Sequence, residues 1–188
     1  MIVALDLGGV IVDVDHGRTM AKLGIDRPTL ERAFFDDGLH DAVTIGAVDG
    51  AVFSRTAASR LGRDVREVED AWALVVDVMP AGSALVRELI EAGHDVVLWT
   101  NTDPVHLPRM LAGLPPEVRA STASFRLGAM KPDPAYFAKA LAHGEPVVFL
   151  DDLEKNVAAA RLASVDARVC AGPIRARAIL SEIGALSS

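Results

Sequence analysis

Acidic and polar side chains follow three apolar segments of this chain, at the point where each segment ends. The three segments are residues 2–5, 96–99 and 147–150. The polar residues that follow them are Asp6, Thr100, Asn101, Asp151 and Asp152. In open parallel sheets ligands bind beyond the carboxyl ends of the strands, so we expect these residues to share one site.

Three carboxylates at one sheet edge require positive charge, because a buried unpaired carboxylate is strongly disfavoured. Carboxylate oxygens are hard ligands that suit Mg²⁺, with a backbone carbonyl and waters completing the shell. The five histidines are scattered singly along the sequence, which argues against a zinc site. Lys131 lies in a loop with Pro132 and Pro134, which restrict the backbone, and we expect it to supply a second cation beside Asp6.

This combination of groups predicts phosphoryl transfer. Asp6 is the candidate nucleophile, and Mg²⁺ with Lys131 would offset charge on the phosphoryl oxygens. Thr100 and Asn101 offer a hydroxyl, an amide and turn N–H groups that can hold those oxygens. The expected intermediate is an aspartyl phosphate, which water then cleaves.

Composition restricts the range of functions. The chain has 188 residues, a formal net charge of -7 and 51% hydrophobic residues, which suits a well-filled core. No stretch concentrates Lys or Arg, so nucleic acid and an anionic membrane are not expected partners. Cys170 is the single cysteine and is expected to be buried. An apolar start that carries Asp6 and no basic leader is not typical of a signal peptide, so we expect a cytoplasmic protein. We expect a monomer or a homodimer, between which the sequence does not decide.

The apolar periodicity predicts an α/β fold. Strands are expected at residues 2–5, 10–14, 95–99, 118–123, 147–150 and 167–170, and the alternation with helices after residue 80 indicates a Rossmann-like three-layer sandwich with a parallel sheet. Helices are expected at 18–23, 28–35, 50–61 and 64–79, as a small helical cap inserted after the first strand. We therefore expect a core domain of residues 1–15 and 80–188 and a cap of residues 16–79.

These motifs resemble those of the haloacid dehalogenase (HAD) superfamily of phosphohydrolases. The matching residues are Asp6-Leu7-Gly8-Gly9-Val10, Thr100-Asn101, Lys131-Pro132, and Asp151-Asp152 with Asn156. Within the superfamily the sequence is most similar to small bacterial sugar-phosphate phosphatases of the α-glucose-1-phosphate phosphatase type. The resemblance implies that Asp6 is the nucleophile, that Thr100 and Lys131 hold the phosphoryl group, and that Asp6, the Gly8 carbonyl and Asp152 bind Mg²⁺. It leaves Asp151 as a further ligand or a water-mediated partner, and it implies a small phosphorylated metabolite, plausibly a sugar phosphate, as substrate.

One position departs from the pattern of the superfamily. Most of its phosphatases carry a second Asp two residues after the nucleophile as general acid and base, but Gly8 stands there in this chain. Loss of such a group lowers the rate by roughly 10²–10⁴-fold unless another residue substitutes. Asp13, Asp15 and His16 are the nearest candidates in sequence, and of these we favour Asp15 or His16, which would contact the substrate from beside the turn.

Two alternatives remain open at this stage. The resemblance also covers haloacid dehalogenases, which lack the second Asp and need no metal; Asp151 and Asp152 argue against that reaction. A catalytically impaired binding or regulatory module is the other alternative. Three further residues have no assigned role: Asp103 and Arg109 are expected at a solvated helix start, and His106 has no evident partner.

Overall fold

The computed structural model describes residues 1–187. Its strands are β1 (Ile2–Leu5), β2 (Val12–Val14), β3 (Val76–Val78), β4 (Asp95–Leu98), β5 (Val148–Asp151) and β6 (Ala167–Val169). Its helices are α1 (His16–Leu23), α2 (Arg27–Phe34), α3 (Leu39–Thr44), α4 (Gly50–Leu61), α5 (Val65–Ala73), α6 (Pro80–Glu91), α7 (His106–Ala112), α8 (Ser124–Leu127), α9 (Pro134–Leu141), α10 (Glu154–Leu162) and α11 (Gly172–Glu182). A short 3₁₀ turn lies at Asp36–Gly38.

The central sheet is parallel and has the strand order β4-β1-β5-β6. In its register Leu5 lies beside both Leu98 and Leu150, so the strands that precede the polar residues end at the same level. This arrangement confirms the α/β fold and the parallel sheet expected from the sequence. It also brings the carboxyl ends of β1, β4 and β5 to one edge.

Helices cover both faces of the sheet because its strands are apolar on both sides. Val3 and Leu5 belong to a cluster with side chains of α6 and α11. Ala4 and Phe149 belong to a second cluster, with side chains of α9 and α10. The result is the three-layer sandwich that continuous apolar strands predict.

A two-stranded antiparallel ribbon connects the segment α1–α5 to the sheet domain. The chain enters this segment through β2 and returns through β3. Val12 of β2 lies opposite Val78 of β3, and Val14 lies opposite Val76. Four of these helices begin after an aspartate whose side chain accepts a backbone N–H, a strongly favoured helix start. These residues are Asp15, Asp26, Asp49 and Asp64.

Two expected elements differ from the structure. The helix expected over residues 64–79 ends at Ala73, and Val76–Val78 forms β3 instead. The valines there fit a helical stripe, but pairing with β2 takes these β-branched residues into the ribbon. The strand expected at residues 118–123 is reduced to a single bridge between Val97 and Arg119. Within residues 1–187, no helix combines the length and apolarity that crossing a bilayer requires.

Candidate active site

A buried lysine links two of the three carboxylates at the sheet edge. Lys131 Nζ lies 3.0 Å from Asp6 Oδ1 and 2.6 Å from Asp151 Oδ2. Lys131 is 3% exposed and Asp6 is 7% exposed. Two carboxylates therefore share one ammonium in a site with little access to water, which leaves an excess of negative charge.

Asn101 holds the lysine loop in place. Its amide Nδ2 donates to the Lys131 carbonyl at 2.8 Å, and its Oδ1 accepts the Lys131 backbone N–H at 2.8 Å. The side chain of Asn101 thus braces the backbone that carries the ammonium. Its neighbour Thr100 is buried and lines a cavity that Lys131 also lines.

The two aspartates that end β5 have different surroundings. Asp151 is fully buried, and its oxygens accept bonds from Leu153 N at 2.9 Å and from Asn156 Nδ2 at 3.0 and 3.1 Å, in addition to Lys131. Asp152 is partly exposed and lines a cavity of about 520 Å³ together with Asp6 and Gly8. Asp151 is therefore saturated with donors, whereas Asp152 faces open space.

Carboxylate oxygens of Asp6, Asp151 and Asp152 all lie within 4.8 Å of one another. Burial, more than any neighbour, raises the pKa of Asp6 to about 6; Lys131 opposes this effect and the charge of Asp151 adds to it. Burial and Asp151 also raise the pKa of Asp152 above its usual range. Such mutual destabilisation of carboxylates is relieved by a divalent cation, and hard oxygen ligands suit Mg²⁺ or Ca²⁺.

Gly9 allows Asp152 to approach the loop after β1. Its φ is +69°, and a Cβ at this position would overlap the Asp152 carboxylate. Glycine is favoured here for both reasons. The loop that carries Gly8 and the end of β5 can therefore close on the same cavity.

The candidates for proton transfer lie in different places. The Asp15 carboxylate accepts the Gly17 N–H at 2.7 Å as the helix cap of α1, and Asp13 pairs with Arg18. His16 lines a second cavity of about 500 Å³, which also reaches Gly8 and Thr100. Asp13 lines the first cavity together with Asp6, but its carboxylate is paired with Arg18. Of the three, His16 is the one that lines the cavity shared by Thr100 and Lys131.

A buried network that sequence reasoning missed joins α5 to α7. Asp103 is 1% exposed, and its carboxylate accepts His106 Nδ1 at 2.9 Å and Trp72 Nε1 at 3.2 Å. His106 Nε2 lies 2.8 Å from the Trp72 carbonyl oxygen. Because both partners of the imidazole are acceptors, the arrangement matches a ring with hydrogen on both nitrogens. The expectation of a solvated Asp103 and an unpartnered His106 is therefore wrong.

Arg109, Cys170 and Trp99 contribute to the packing of the fold. Arg109 Nε donates to the Val76 carbonyl at 3.0 Å, which attaches α7 to the ribbon. Cys170 is buried as expected, and burial raises the pKa of its thiol to about 11. Trp99 is fully buried in the core.

No family model matches the chain. Solved structures do resemble it: a HAD family enzyme of Bacteroides thetaiotaomicron, in complex with magnesium and inorganic phosphate, superposes with a TM-score of 0.76 over 89% of this chain and 92% of that one, at 20% identity. This chain has the HAD fold. A predicted HAD-like family hydrolase of Porphyromonas gingivalis superposes with a TM-score of 0.73 over 95% of this chain and 97% of that one, also at 20% identity.

The HAD fold also includes dehalogenases that resemble this chain. L-2-haloacid dehalogenase of Xanthobacter autotrophicus, with chloropropionic acid covalently bound, superposes with a TM-score of 0.53 over 88% of this chain and 75% of that one, at 17% identity. At these identities the likeness defines the HAD fold rather than the reaction. The function therefore rests on the site residues.

Proposed function

We propose that the protein is a Mg²⁺-dependent phosphatase that hydrolyses a small phosphorylated metabolite, such as a sugar phosphate, through an aspartyl-phosphate intermediate. The observation that carries this proposal is the group formed by Asp6, Asp151 and Asp152 around the single ammonium of Lys131. The magnesium and phosphate bound by the Bacteroides HAD enzyme support it.

We assign the metal to the cavity that Asp6 and Asp152 line. Asp151 already accepts bonds from Lys131, Leu153 and Asn156, so we place it behind the ligands as an orienting group. Asp6, the Gly8 carbonyl and Asp152 would then hold Mg²⁺. Bound magnesium would withdraw charge from the phosphoryl oxygens.

The chain's own residues supply the remaining steps. Asp6 attacks phosphorus as its ionised carboxylate, and Lys131 donates to the phosphoryl oxygens that gain charge. Thr100 lines one cavity together with Lys131, where its hydroxyl can donate to the same group. Asn101 keeps Lys131 in position through its two backbone bonds.

We propose His16 as the general base for the water that cleaves the aspartyl phosphate, a proton transfer that Gly8 cannot perform. Burial, with repulsion from His40, His106 and Arg27, lowers the pKa of His16, so its imidazole is available to accept a proton from the attacking water. Replacing His16 by Gln is expected to lower turnover of p-nitrophenyl phosphate, whose leaving group needs no proton, by about 10²-fold. Asp15→Asn is the matched control, because Asp15 caps the same helix; equal losses in both variants would remove His16 from this role.

The helices between β2 and β3 are proposed as a cap of residues 16–79 over a core of residues 1–15 and 80–188. Phe35 and Trp72 of this segment line the same cavity as Thr100, so we expect them to contact the leaving group. A cavity of about 500 Å³ suits a metabolite rather than a macromolecule.

The experiment that tests the proposal is hydrolysis of p-nitrophenyl phosphate with and without Mg²⁺. We expect Mg²⁺-dependent release of nitrophenol that Asp6→Asn abolishes and Asp70→Asn, an exposed carboxylate on α5, leaves intact. Phosphate binding without hydrolysis would instead support the impaired binding module.

Dehalogenation is the second candidate, favoured by the dehalogenase fold likeness and by Gly8. In that reaction Asp6 would attack carbon, and halide would leave without protonation. Release of halide from 2-haloacids in the presence of EDTA, with no hydrolysis of p-nitrophenyl phosphate, would replace the phosphatase proposal.

A further inference from the structure

Three histidines line the cavity between α1–α5 and the sheet edge, and the proposed hydrolysis uses only His16. We call this cavity of about 500 Å³ the cap chamber. Gly8, Thr100 and Lys131 line it at the sheet edge. His16, His40, Phe35 and Trp72 line it opposite these residues, where the leaving group of a phosphate held at Lys131 would lie.

Three imidazoles surround one indole in this chamber. The ring centroids of His16, His40 and His106 lie 5.8, 5.8 and 5.0 Å from that of Trp72. His106 is engaged on both nitrogens by Asp103 and by the Trp72 carbonyl. His40 Nδ1 lies 3.9 Å from Asp41 Oδ1, beyond hydrogen-bond distance, so His40 keeps its capacity to bond a ligand.

The charges that face His40 come from several elements. Asp41 lies on its own helix, Asp103 and His106 face it from the start of α7, and His16 faces it from α1. Burial is the largest influence and, with His106, lowers the pKa of His40 although Asp103 and Asp41 oppose the shift. Lys131 and Lys155 also line the chamber. An anion in the chamber would favour the protonated imidazoles that the empty chamber disfavours.

Two buried hydroxyls in the chamber wall have no hydrogen-bond partner among the described residues. They are Thr44 Oγ1 and Thr102 Oγ1, on residues that are 2% and 6% exposed. Buried polar groups are nearly always paired, and both hydroxyls retain a hydrogen that they can donate to an acceptor in the cavity. An oxyanion accepts hydrogen bonds and suits both threonines and the imidazoles.

We propose that the cap chamber binds a second anionic group of the substrate, a carboxylate or a second phosphate, with His40 as its principal contact. This inference rests on the proposed function, because the scissile phosphate at Lys131 is what places the leaving group in the chamber. It narrows the substrate class from phosphorylated metabolites in general to those with two anionic groups. Phe35 and Trp72 then contact the carbon skeleton between the two groups.

The test uses glycerol phosphate, phosphoglycerate and glycerol bisphosphate, which share a three-carbon skeleton. The readout is the ratio of kcat/KM for each doubly anionic probe to kcat/KM for glycerol phosphate. We expect a ratio of about ten or more for one of them, equivalent to one good charge contact. The preferred probe distinguishes a carboxylate site from a phosphate site, and ratios near one for both would overturn the proposal.

Variants of His40 test whether this residue causes the preference for a doubly anionic substrate. His40→Gln is expected to bring the ratio close to one, whereas His40→Lys keeps a cation there and is expected to retain it. The wild-type ratio is expected to fall as pH rises from 5.5 to 8, about the range over which imidazole loses its proton, and the His40→Lys ratio to change less. His143→Gln, at an exposed position after α9, is the control. A ratio that His40→Gln leaves unchanged would also contradict the proposal.

Failure of this inference is distinguishable from failure of the proposed function. If p-nitrophenyl phosphate is hydrolysed with Mg²⁺ and the ratios are near one, the phosphatase stands and the anion subsite does not. If no phosphate ester is hydrolysed, calorimetric Kd values for phosphoglycerate and glycerol phosphate in the presence of Mg²⁺ give the same ratio. Tighter binding of phosphoglycerate that His40→Gln removes would then support the subsite without the phosphatase.

Discussion

Asp6 and Asp103 are both buried carboxylates near the carboxyl edge of the sheet, but their electrostatics are opposite. Asp6 shares one ammonium with Asp151, and burial raises its pKa to about 6. Burial alone would raise the pKa of Asp103 as well, but His106 and the N–H of Trp72 lower it to about 2. Neighbouring charge and hydrogen-bond donors, rather than the depth of burial, decide which carboxylate is stabilised.

This difference separates reactive from structural acids in the molecule. Asp103 accepts the backbone N–H groups of Val105 and His106 at 2.8 Å, besides His106 Nδ1 and Trp72 Nε1. It is stable as it stands and joins α5 to α7. Asp6 lacks sufficient positive charge, which is the condition under which a carboxylate gains most from a cation and an electrophile.

The largest expected effect is on turnover when Asp6 loses its nucleophilic oxygen. Asp6→Asn should lower hydrolysis of p-nitrophenyl phosphate by at least about 10⁴-fold, because Asp151 is bonded to Lys131 and Asn156 and Asp152 is assigned to the metal. Steady-state rates with saturating Mg²⁺ measure it. Residual turnover within tenfold of wild type would assign the nucleophile elsewhere.

The next largest expected effect is a loss of stability when Asp103 is replaced. Asp103→Asn should lower the free energy of unfolding by about 3 kcal/mol at pH 7, since it removes a buried ion pair partner. Urea unfolding followed by fluorescence measures the loss. Asp70→Asn on the exposed side of α5 should change it by less than about 0.5 kcal/mol.

The pH dependence of that loss has a defined sign. The folded pKa of Asp103 is lowered to about 2, so its stabilisation is present above the unfolded value of 3.8 and is lost as pH falls towards 2. The difference between wild type and Asp103→Asn should therefore shrink by about 2 kcal/mol across this range. A difference that stays constant between pH 5 and pH 2 would show that Asp103 is not ionised in the fold.

A smaller effect of opposite sign is expected at Asp6 in metal-free protein. Because the folded pKa is raised from 3.8 to about 6, ionisation of Asp6 costs stability as pH rises through this window. A shift of this size is equivalent to about 3 kcal/mol, but Asp6→Asn also loses the contact with the Lys131 ammonium. The variant, unfolded in EDTA at pH 8, should therefore be more stable than wild type by about 1–2 kcal/mol. Equal stability of the two proteins at pH 8 would mean that Lys131 compensates Asp6 fully.

The two carboxylates also differ in how far the sequence predicts them. Asp6, Asp151 and Asp152 each follow an apolar run, and this local pattern places them at one edge once the sheet is parallel. Lys131 was expected there from its loop, and its contacts with Asp6 and Asp151 bring these three residues together. The roles of these residues stay predictions.

The burial of Asp103 cannot be predicted from its neighbours in the sequence. Its bonds with Val105 and His106 are local and suit an aspartate that precedes a helix, but the helix that covers it is distant. Trp72 lies 31 residues away on α5, and nothing near Asp103 indicates that this helix covers it. The strand β3 escaped prediction for the same reason: Val76 and Val78 fit a helical stripe, and pairing with β2 overrides that pattern. Local patterns thus predict the sheet edge, whereas contacts between α1–α5 and the rest of the chain require the structure.

The most direct test of the difference between the two carboxylates is a titration of Mg²⁺ followed by thermal unfolding. Wild type and Asp70→Asn should gain Tm progressively with Mg²⁺, since a cation that binds the folded state stabilises it. Asp103→Asn should start from a lower Tm but show the same gain. Asp152→Asn should lose most of the gain, and an undiminished response in Asp152→Asn would contradict the assignment of the metal to the edge formed by Asp6 and Asp152.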